Sequence, residues 1–435
     1  MLFFKATKMK IKRLKIENFR GIVDDTIDFD PSFTVFAGRN GGGKSTILEA
    51  IAIMLSRISG RMSGRTGDCT SLRDRDITYG KDHCMLSLTI ASPDDSITLT
   101  LGRDRRGVES EDSAAADAYA AKLRGVFSKV DDPDYELPVF AYYGSDRNTT
   151  SFSAPLPSEG ANRMGVYKNA FSAGTKFDDF SAWFTAALLE REFAVASFGL
   201  GLYWRREYFR AREEIEKKYG FIALIKKALK DFSPSLEGFY VEGGRLFVRP
   251  RDIPAEYLSQ GEKSVIVLIA DIAIRMAGAN PNMKNPLATD AIIMIDEVDL
   301  HLHPDWQSRI VEELPKMFPK TQFIVSSHSP SVFSVVKSLY RLADGADGVT
   351  RIEHTSQYGR APADILGTFL HADRESSFKR EIDAMYAALD KGDSAKALKI
   401  IGRLRKVIPD DPEILRGEYL ARAMESANGK DNAAH

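Results

Sequence analysis

The sequence predicts an α/β protein, and three observations carry that prediction. An apolar strand, Phe33–Ala37, runs through a glycine-rich turn into an apolar-periodic helix. A second apolar strand, 291–296, ends in two carboxylates, and a third, 321–326, ends beside a histidine. Strands alternating with amphipathic helices over this distance call for a sheet covered by helices.

Taken in order, Ile11, Leu14 and Ile16 lead into Asn18-Phe19-Arg20-Gly21 and then Ile27-Asp28-Phe29, read as strands. Ile47, Leu48, Ile51, Ile53, Met54 and Leu55 mark a helix from Ser45 to about Ser56. Residues 57–75, rich in Gly, Ser and Arg, read as a surface loop, and 104–118 as another. Between them Met85–Ile90 and Ile97–Leu101 flank a turn at Ser92–Asp95, a hairpin pattern. Leu137–Tyr143 reads as a buried strand, and 150–175 as a Ser-, Gly- and Asn-rich segment.

Phe180, Trp183, Phe184, Leu188 and Leu189 recur at helical spacing. A charged helix from Trp204 to Lys218 and an amphipathic one from Phe221 to Phe232 complete a helical insertion. A hairpin at 239–248, a helix from Ser259 and a helix over about 304–317 follow. From 377 onward the pattern is helical, with Pro409 and Pro412 ahead of a last helix and a disordered tail expected after Met424. The expected organisation is therefore 1–150, a first lobe; 151–235, the helical insertion; 236–350, a second lobe; and 351–435, a helical C-terminal region.

Lys plus Arg number 60 against 61 Asp plus Glu, so no global basic field marks a nucleic-acid binder. The run Lys5, Lys8, Lys10, Lys12, Arg13, Lys15 reads first as a solvated strand edge. Two cysteines, Cys69 and Cys84, build neither a disulfide framework nor a zinc site. No signal-peptide run is read at the N-terminus, and no stretch nears the ~18 apolar residues of a membrane span. A cytoplasmic protein with no membrane partner is expected.

Four motifs carry chemistry. Gly38-Arg39-Asn40-Gly41-Gly42-Gly43-Lys44-Ser45, with Thr46 after it, is a full phosphate-binding loop between strand and helix. Its backbone N–H groups converge on phosphate, Lys44 reaches the β- and γ-oxygens, and the Ser45 hydroxyl suits Mg²⁺. The bare pattern arises by chance in only about one or two of a hundred chains this long. Ile292–Ile295 ends in Asp296 and Glu297, placed to hold Mg²⁺ and to take a proton from an attacking water. Leu258-Ser259-Gln260-Gly261-Glu262-Lys263-Ser264 opens a helix whose N-terminus suits an anion, although in isolation Ser259 would be a plain N-cap. Phe323–Ser327 ends in His328.

In this order the four motifs, with Leu14-Lys15-Ile16-Glu17-Asn18-Phe19-Arg20-Gly21, resemble the Rad50, RecF and SMC branch of the ABC ATPases. The resemblance covers roughly 9–57 and 236–345. It implies an ABC-ATPase head of two lobes: a mixed sheet with the phosphate loop, and a helical signature lobe. It further implies that ATP and Mg²⁺ bind, that Ser259 contacts the γ-phosphate held by another copy, that Lys44 and Glu297 are catalytic, and that His328 contacts the γ-phosphate and the catalytic water. Asp299 and His301, in Val298–Pro304, match the D-loop that crosses the dimer interface. No Gln-loop is evident; Asp74–Ile77 is where it would fall. Arg147 is read equally as a phosphate contact or a structural ion-pair partner.

Leu302-His303-Pro304, Tyr142–Arg147 and the helices after Tyr358-Gly359-Arg360 are similar to the ATPase subunit of Septu anti-phage systems and of the retrons that share it. That resemblance implies a homodimer or higher homo-oligomer around ATP, an HNH nuclease partner, and a nucleic acid (DNA, tRNA or retron RNA/DNA) as a further partner class. No HNH or toprim constellation is present in the sequence itself. A DNA recombination or repair ATPase is the alternative; a transporter subunit fits the helical insertion and the Asn-Phe-Arg-Gly opening poorly.

Overall fold

The computed structural model describes residues 9–63, 70–92, 95–112, 114, 117–118, 136–148, 163–172, 176–199, 205–344, 349–368, 376–407 and 411–431. They fall into two units, Met1–Pro362 and Ala363–His435. Lys5, Lys8, Cys69, the turn at Pro93-Asp94, residues 150–162 and 173–175 of the Ser/Gly/Asn-rich segment, Trp204, Pro409 and the last four residues lie outside the described residues.

The first unit opens with β1 (Lys10–Phe19), β2 (Ile22–Asp28), β3 (Phe33–Gly38) and α1 (Lys44–Ser63). Next come β4 (His83–Ser92), β5 (Asp95–Asp104), β6 (Glu109–Glu111) and β7 (Val139–Tyr143). Two long helices follow, α2 (Phe177–Gly199) and α3 (Arg205–Phe232), then β8 (Gly238–Glu242), β9 (Arg245–Arg249) and β10 (Ile253–Pro254). The remainder is α4 (Gln260–Ala279), β11 (Ala291–Ile295), α5 (Pro304–Met317), β12 (Thr321–Ser327), the one-turn α6 (Pro330–Phe333), β13 (Leu339–Asp344) and β14 (Thr350–Thr355).

These strands make three sheets: β2-β1-β4-β5-β6, the small β10-β9-β8, and a six-stranded sheet in the order β14-β13-β3-β12-β11-β7. The six-stranded sheet is parallel except for β14. Its strands β11 and β12 are buried throughout, as parallel strands covered on both faces are. Helix α1 lies against β3, β7, β11 and β12 and also touches β4, so it is sandwiched between the two large sheets. Gln322, fully buried on β12, joins them: its amide bonds the N–H and C=O of Ile11 at 2.8 and 2.9 Å, respectively.

Three local expectations are corrected. Helix α1 runs to Ser63, well past Ser56, because Ile58 is buried and Arg57 and Arg61 pair with Glu109 and Glu111 at 2.7 Å. Those same two carboxylates order β6 within the stretch read as a loop. The charged and amphipathic helices around Gly220 are one helix, α3. A glycine there costs only about 1 kcal/mol against alanine, and its neighbours Tyr219, Phe221 and Ile222 are buried. Strands β13 and β14 had no place in the sequence reading.

Helix α7 (Pro362–Thr368) starts at the boundary, and the second unit holds α8 (Ser376–Asp390), α9 (Ser394–Leu404) and α10 (Pro412–Asp431). Ile382, Met385 and Leu389 of α8 meet Ala397, Ile401 and Leu404 of α9 in one apolar core, closed by Ile414 and Ala421 of α10. The last helix continues to Asp431, beyond Met424, where disorder was expected. Among the described residues no helix is long and apolar enough to cross a membrane.

Candidate functional site

Because β3, β7, β11, β12 and β13 are parallel, their carboxyl ends share one edge, where open α/β sheets hold ligands. The turn from β3 into α1 is the phosphate-loop motif. Gly43 sits at φ +92°, in the left-handed region that a side chain resists, and Gly41 at +79°. Arg39, Asn40 and Gly41 are exposed at the tip, while Gly42 N–H donates to Arg39 O at 3.1 Å and Thr46 is half-buried. Lys44 Nζ lies inside the loop, donating to Gly38 O and Arg39 O at 3.0 and 2.9 Å, respectively. Burial pushes this ammonium's pKa down, against the raising pull of Asp296, Glu297 and Asp299.

Ser45 Oγ donates to Asp296 Oδ2 at 2.6 Å, across 251 positions of sequence. Asp296, almost fully buried, accepts a second hydrogen bond from Ser326 Oγ. Its N–H donates to Tyr143 O at 2.8 Å, the β7–β11 contact continued past the strand end. A hydroxyl against a carboxylate is a set of hard oxygens, which fits Mg²⁺. Glu297 follows at φ +49°, with its N–H on Ser326 Oγ at 2.7 Å.

His328 is half-buried where β12 ends, and its N–H reaches Asp299 Oδ2 at 3.4 Å. Burial first, and Lys44 second, hold its imidazole below the usual histidine range, so it is neutral at pH 7. His328 Nε2 and Asp299 Oδ1 are buried polar atoms with no hydrogen-bond partner among the described residues. Lys44, Ser45, Asp296, Glu297, Asp299 and His328 are thus one cluster.

Ser259 is the N-cap of α4. Its hydroxyl accepts the Glu262 N–H at 3.2 Å and donates to Glu262 Oε2, which also takes the Ser259 N–H, both at 2.9 Å: a capping box. Against the upward push of burial, these bonds and Arg251 hold the Glu262 carboxyl below its usual value. Ser259 and Gln260 are exposed. Gly261 is buried, and a Cβ there would stand 2.5 Å from His301 O. His301 itself has φ +64°. The signature segment and the D-loop segment therefore touch within one chain.

Sequence reading missed three supports. Ser326 braces Asp296 and Glu297 but looks like any strand serine. Tyr143 Oη donates to Asp271 Oδ2 at 2.6 Å, and Asp271 in turn takes Arg275 Nε at 2.7 Å, a fully buried trio tying α4 to β7. Arg147 bonds the backbone carbonyls of Asp296 and Glu297, a support that neither reading of it from the sequence included. At Asp74–Asp76 the chain makes a 3-10 turn. Asp76 takes Arg20 Nε at 2.9 Å beside a pocket of about 190 Å³ lined in part by Glu49, Arg73 and Tyr142.

The chain resembles known proteins over most of its length. The chain is 27% identical over 354 residues to the retron Vc95 probable ATPase of Vibrio cholerae, covering 70% of this chain and 67% of that protein. It is 25% identical over 359 residues to the Septu protein PtuA of Bacillus thuringiensis, covering 80% of each. An SMC head bound to the C-terminal winged-helix domain of ScpA superposes with a TM-score of 0.50 at 16% identity, over 80% of this chain and 98% of that one. That likeness concerns the fold alone, an α/β head of the SMC kind. The model of the family described as "AAA domain, putative AbiEii toxin, Type IV TA system" matches residues 33–334, well over half the sequence, so the chain is an ATPase that belongs to that family.

Proposed function

We propose that this chain is the ATP-binding, slowly hydrolysing subunit of a cytoplasmic anti-phage defence complex, which pairs head to tail with a second copy around ATP and controls a partner nuclease of the HNH class. One observation carries the reading: Lys44, Ser45, Asp296 and His328 converge at one sheet edge, in a chain that matches the Septu protein PtuA over 80% of both lengths.

The chemistry follows from the residues. Backbone N–H groups of Gly41–Lys44 and the Lys44 ammonium bind the phosphates. Ser45 and Asp296 would hold Mg²⁺, which would supply positive charge beside the phosphates. Glu297 takes a proton from the water that attacks the γ-phosphorus; the γ-phosphate–ADP bond breaks and phosphate leaves. His328, kept neutral by burial and Lys44, donates or accepts a hydrogen bond beside that water without adding charge. Ser259, Gln260, Gly261 and Glu262 form a helix N-terminus, exposed at Ser259 and Gln260, that suits the γ-phosphate of the other copy. Asp299 and His301 lie on the segment that would cross the seam.

The test is Glu297→Gln in the full chain. Hydrolysis should fall ~10³-fold, as expected when a general base and its positioning are lost together. Size-exclusion with light scattering should then show a dimer that persists with ATP and disperses with ADP. A Glu297→Gln chain that stays monomeric at millimolar ATP would refute the sandwich. Expression with the neighbouring genes addresses the partner: co-purification of an HNH protein supports the defence reading, and ATPase stimulation by DNA without such a partner supports the repair alternative.

A further inference from the structure

Arg147 stands one turn beyond β7, and its side chain is 1% exposed. Its own N–H closes that turn on Gly144 O at 3.2 Å. Nη1 donates to Asp296 O at 2.5 Å and to Gly144 O at 3.2 Å, and Nη2 donates to Glu297 O at 3.0 Å. Its hydrogen bonds are therefore to carbonyls alone; Nε has no partner among the described residues. A guanidinium buried without a carboxylate in hydrogen-bond contact is costly to desolvate, and backbone carbonyls return only part of that.

The position of those carbonyls gives the reason. Glu297 is a non-glycine residue at φ +49°, a conformation about 1–2 kcal/mol above the right-handed one. Its N–H is fixed from one side by Ser326 Oγ, which also bonds the Asp296 carboxylate. Arg147 grips the two consecutive carbonyls from the other side. Two parallel N–H donors on one rigid plane match two consecutive carbonyls; a lysine ammonium on its flexible stem does not. We propose that Arg147 is a positioning residue for hydrolysis: it clamps the left-handed turn at Glu297 and so aims that carboxylate, without touching nucleotide. The inference rests on Glu297 being the water-activating group. Arg147 itself is held below the usual arginine range, at about 10, chiefly by burial, and so remains cationic at neutral pH.

The experiment compares wild type, E297Q, R147K and E297Q/R147K as full chains. Affinity is read with a fluorescent ATP analogue and kcat by phosphate release. R147K should bind the analogue within about twofold of wild type while kcat falls ~30–100-fold, the loss expected when a reacting group is misplaced by about 1 Å. The double variant should hydrolyse no more slowly than E297Q, because two residues acting through one carboxylate are non-additive. For R147A, added guanidinium should restore several-fold activity where methylammonium does not; R147Q replaces R147K should the latter melt below assay temperature. R147K with wild-type kcat, or with binding lost in proportion to rate, overturns the proposal, as does an additive double variant. E297Q retaining full activity overturns instead the reading of Glu297, so the two failures are distinguishable.

Discussion

Gly261→Ala tests whether the signature segment and the D-loop segment are one mechanical unit. The added methyl would lie 2.5 Å from His301 O and 3.4 Å from His301 C, where real contacts of this kind essentially stop at 3.0 Å. Either α4 or the His301 peptide must then move by at least 0.5 Å. Neither yields easily: α4 is buried along most of its length, and His301 is already in a left-handed conformation. Intrusions of this size cost about 1–3 kcal/mol. In a unit of this size that corresponds to a fall in melting temperature of roughly 1–4 °C. Because the displaced peptide is four residues from Glu297, kcat should fall ~10-fold or more as well. Differential scanning fluorimetry and phosphate release on the same preparation read both effects. Gly220→Ala is the matched control: its methyl meets nothing within 4 Å, and helix propensity predicts a gain of about 0.5–1 kcal/mol. If G261A melts and hydrolyses like wild type, the close approach does not constrain the molecule and the reasoning fails.

Two further predictions concern buried charge. Asp290, beside Glu136 at the amino end of β11, has its carboxyl pushed up to about 6, first by burial and then by Glu136. The folded state thus holds that proton more tightly than the unfolded one, so stability falls as pH rises from about 4 to 6, by at most about 3 kcal/mol. D290N should raise the melting temperature at pH 7.5 and lose that advantage near pH 4.5; an equal gain at both pH values would contradict it. Asp271→Ala leaves the fully buried Arg275 without its counter-ion, at a cost of about 3–5 kcal/mol, whereas D271L/R275M should lie within about 2 kcal/mol of wild type. Urea midpoints that rank the double variant below D271A would contradict this.

What the sequence made legible follows from where the information sits. The phosphate loop, Asp296-Glu297, the Ser259 helix start and His328 are local strings whose residue types are dictated by one turn each. Pairing Ser45 with Asp296 needed no structure, because the motif order implies it. Long-range supports had no such local signature. Arg147 reads equally as a phosphate contact or an ion-pair partner; its hold on the Asp296 and Glu297 carbonyls emerges only when the carboxyl ends of β7 and β11 are laid side by side. Gly261 reads as part of an anion-binding turn; its other constraint, the His301 carbonyl, lies 40 positions away. The length of α1 was underestimated for the same reason. Its extra turns depend on Glu109 and Glu111, whose strand forms only against β5.

The geometry also couples the exposed end of α4 to the Asp296-Glu297 turn. Helix α4 is fixed to the Asp-Glu strand at two points. At its N-terminus Gly261 abuts His301, on the turn that follows Glu297. Nearly three helical turns later Asp271 holds the hydroxyl of Tyr143, whose carbonyl takes the Asp296 N–H. A rod attached at a single point could pivot and absorb a force applied to its exposed Ser259 end. Attached at both, it cannot shift along its axis without carrying β7, the Asp296 peptide or the His301 turn with it, since packed interiors yield little. The same two peptides, Asp296 and Glu297, are the ones gripped by Arg147. The strained turn is therefore braced by Ser326, Arg147 and α4 through separate elements, which is the redundancy a left-handed, non-glycine residue needs if it is to hold one orientation.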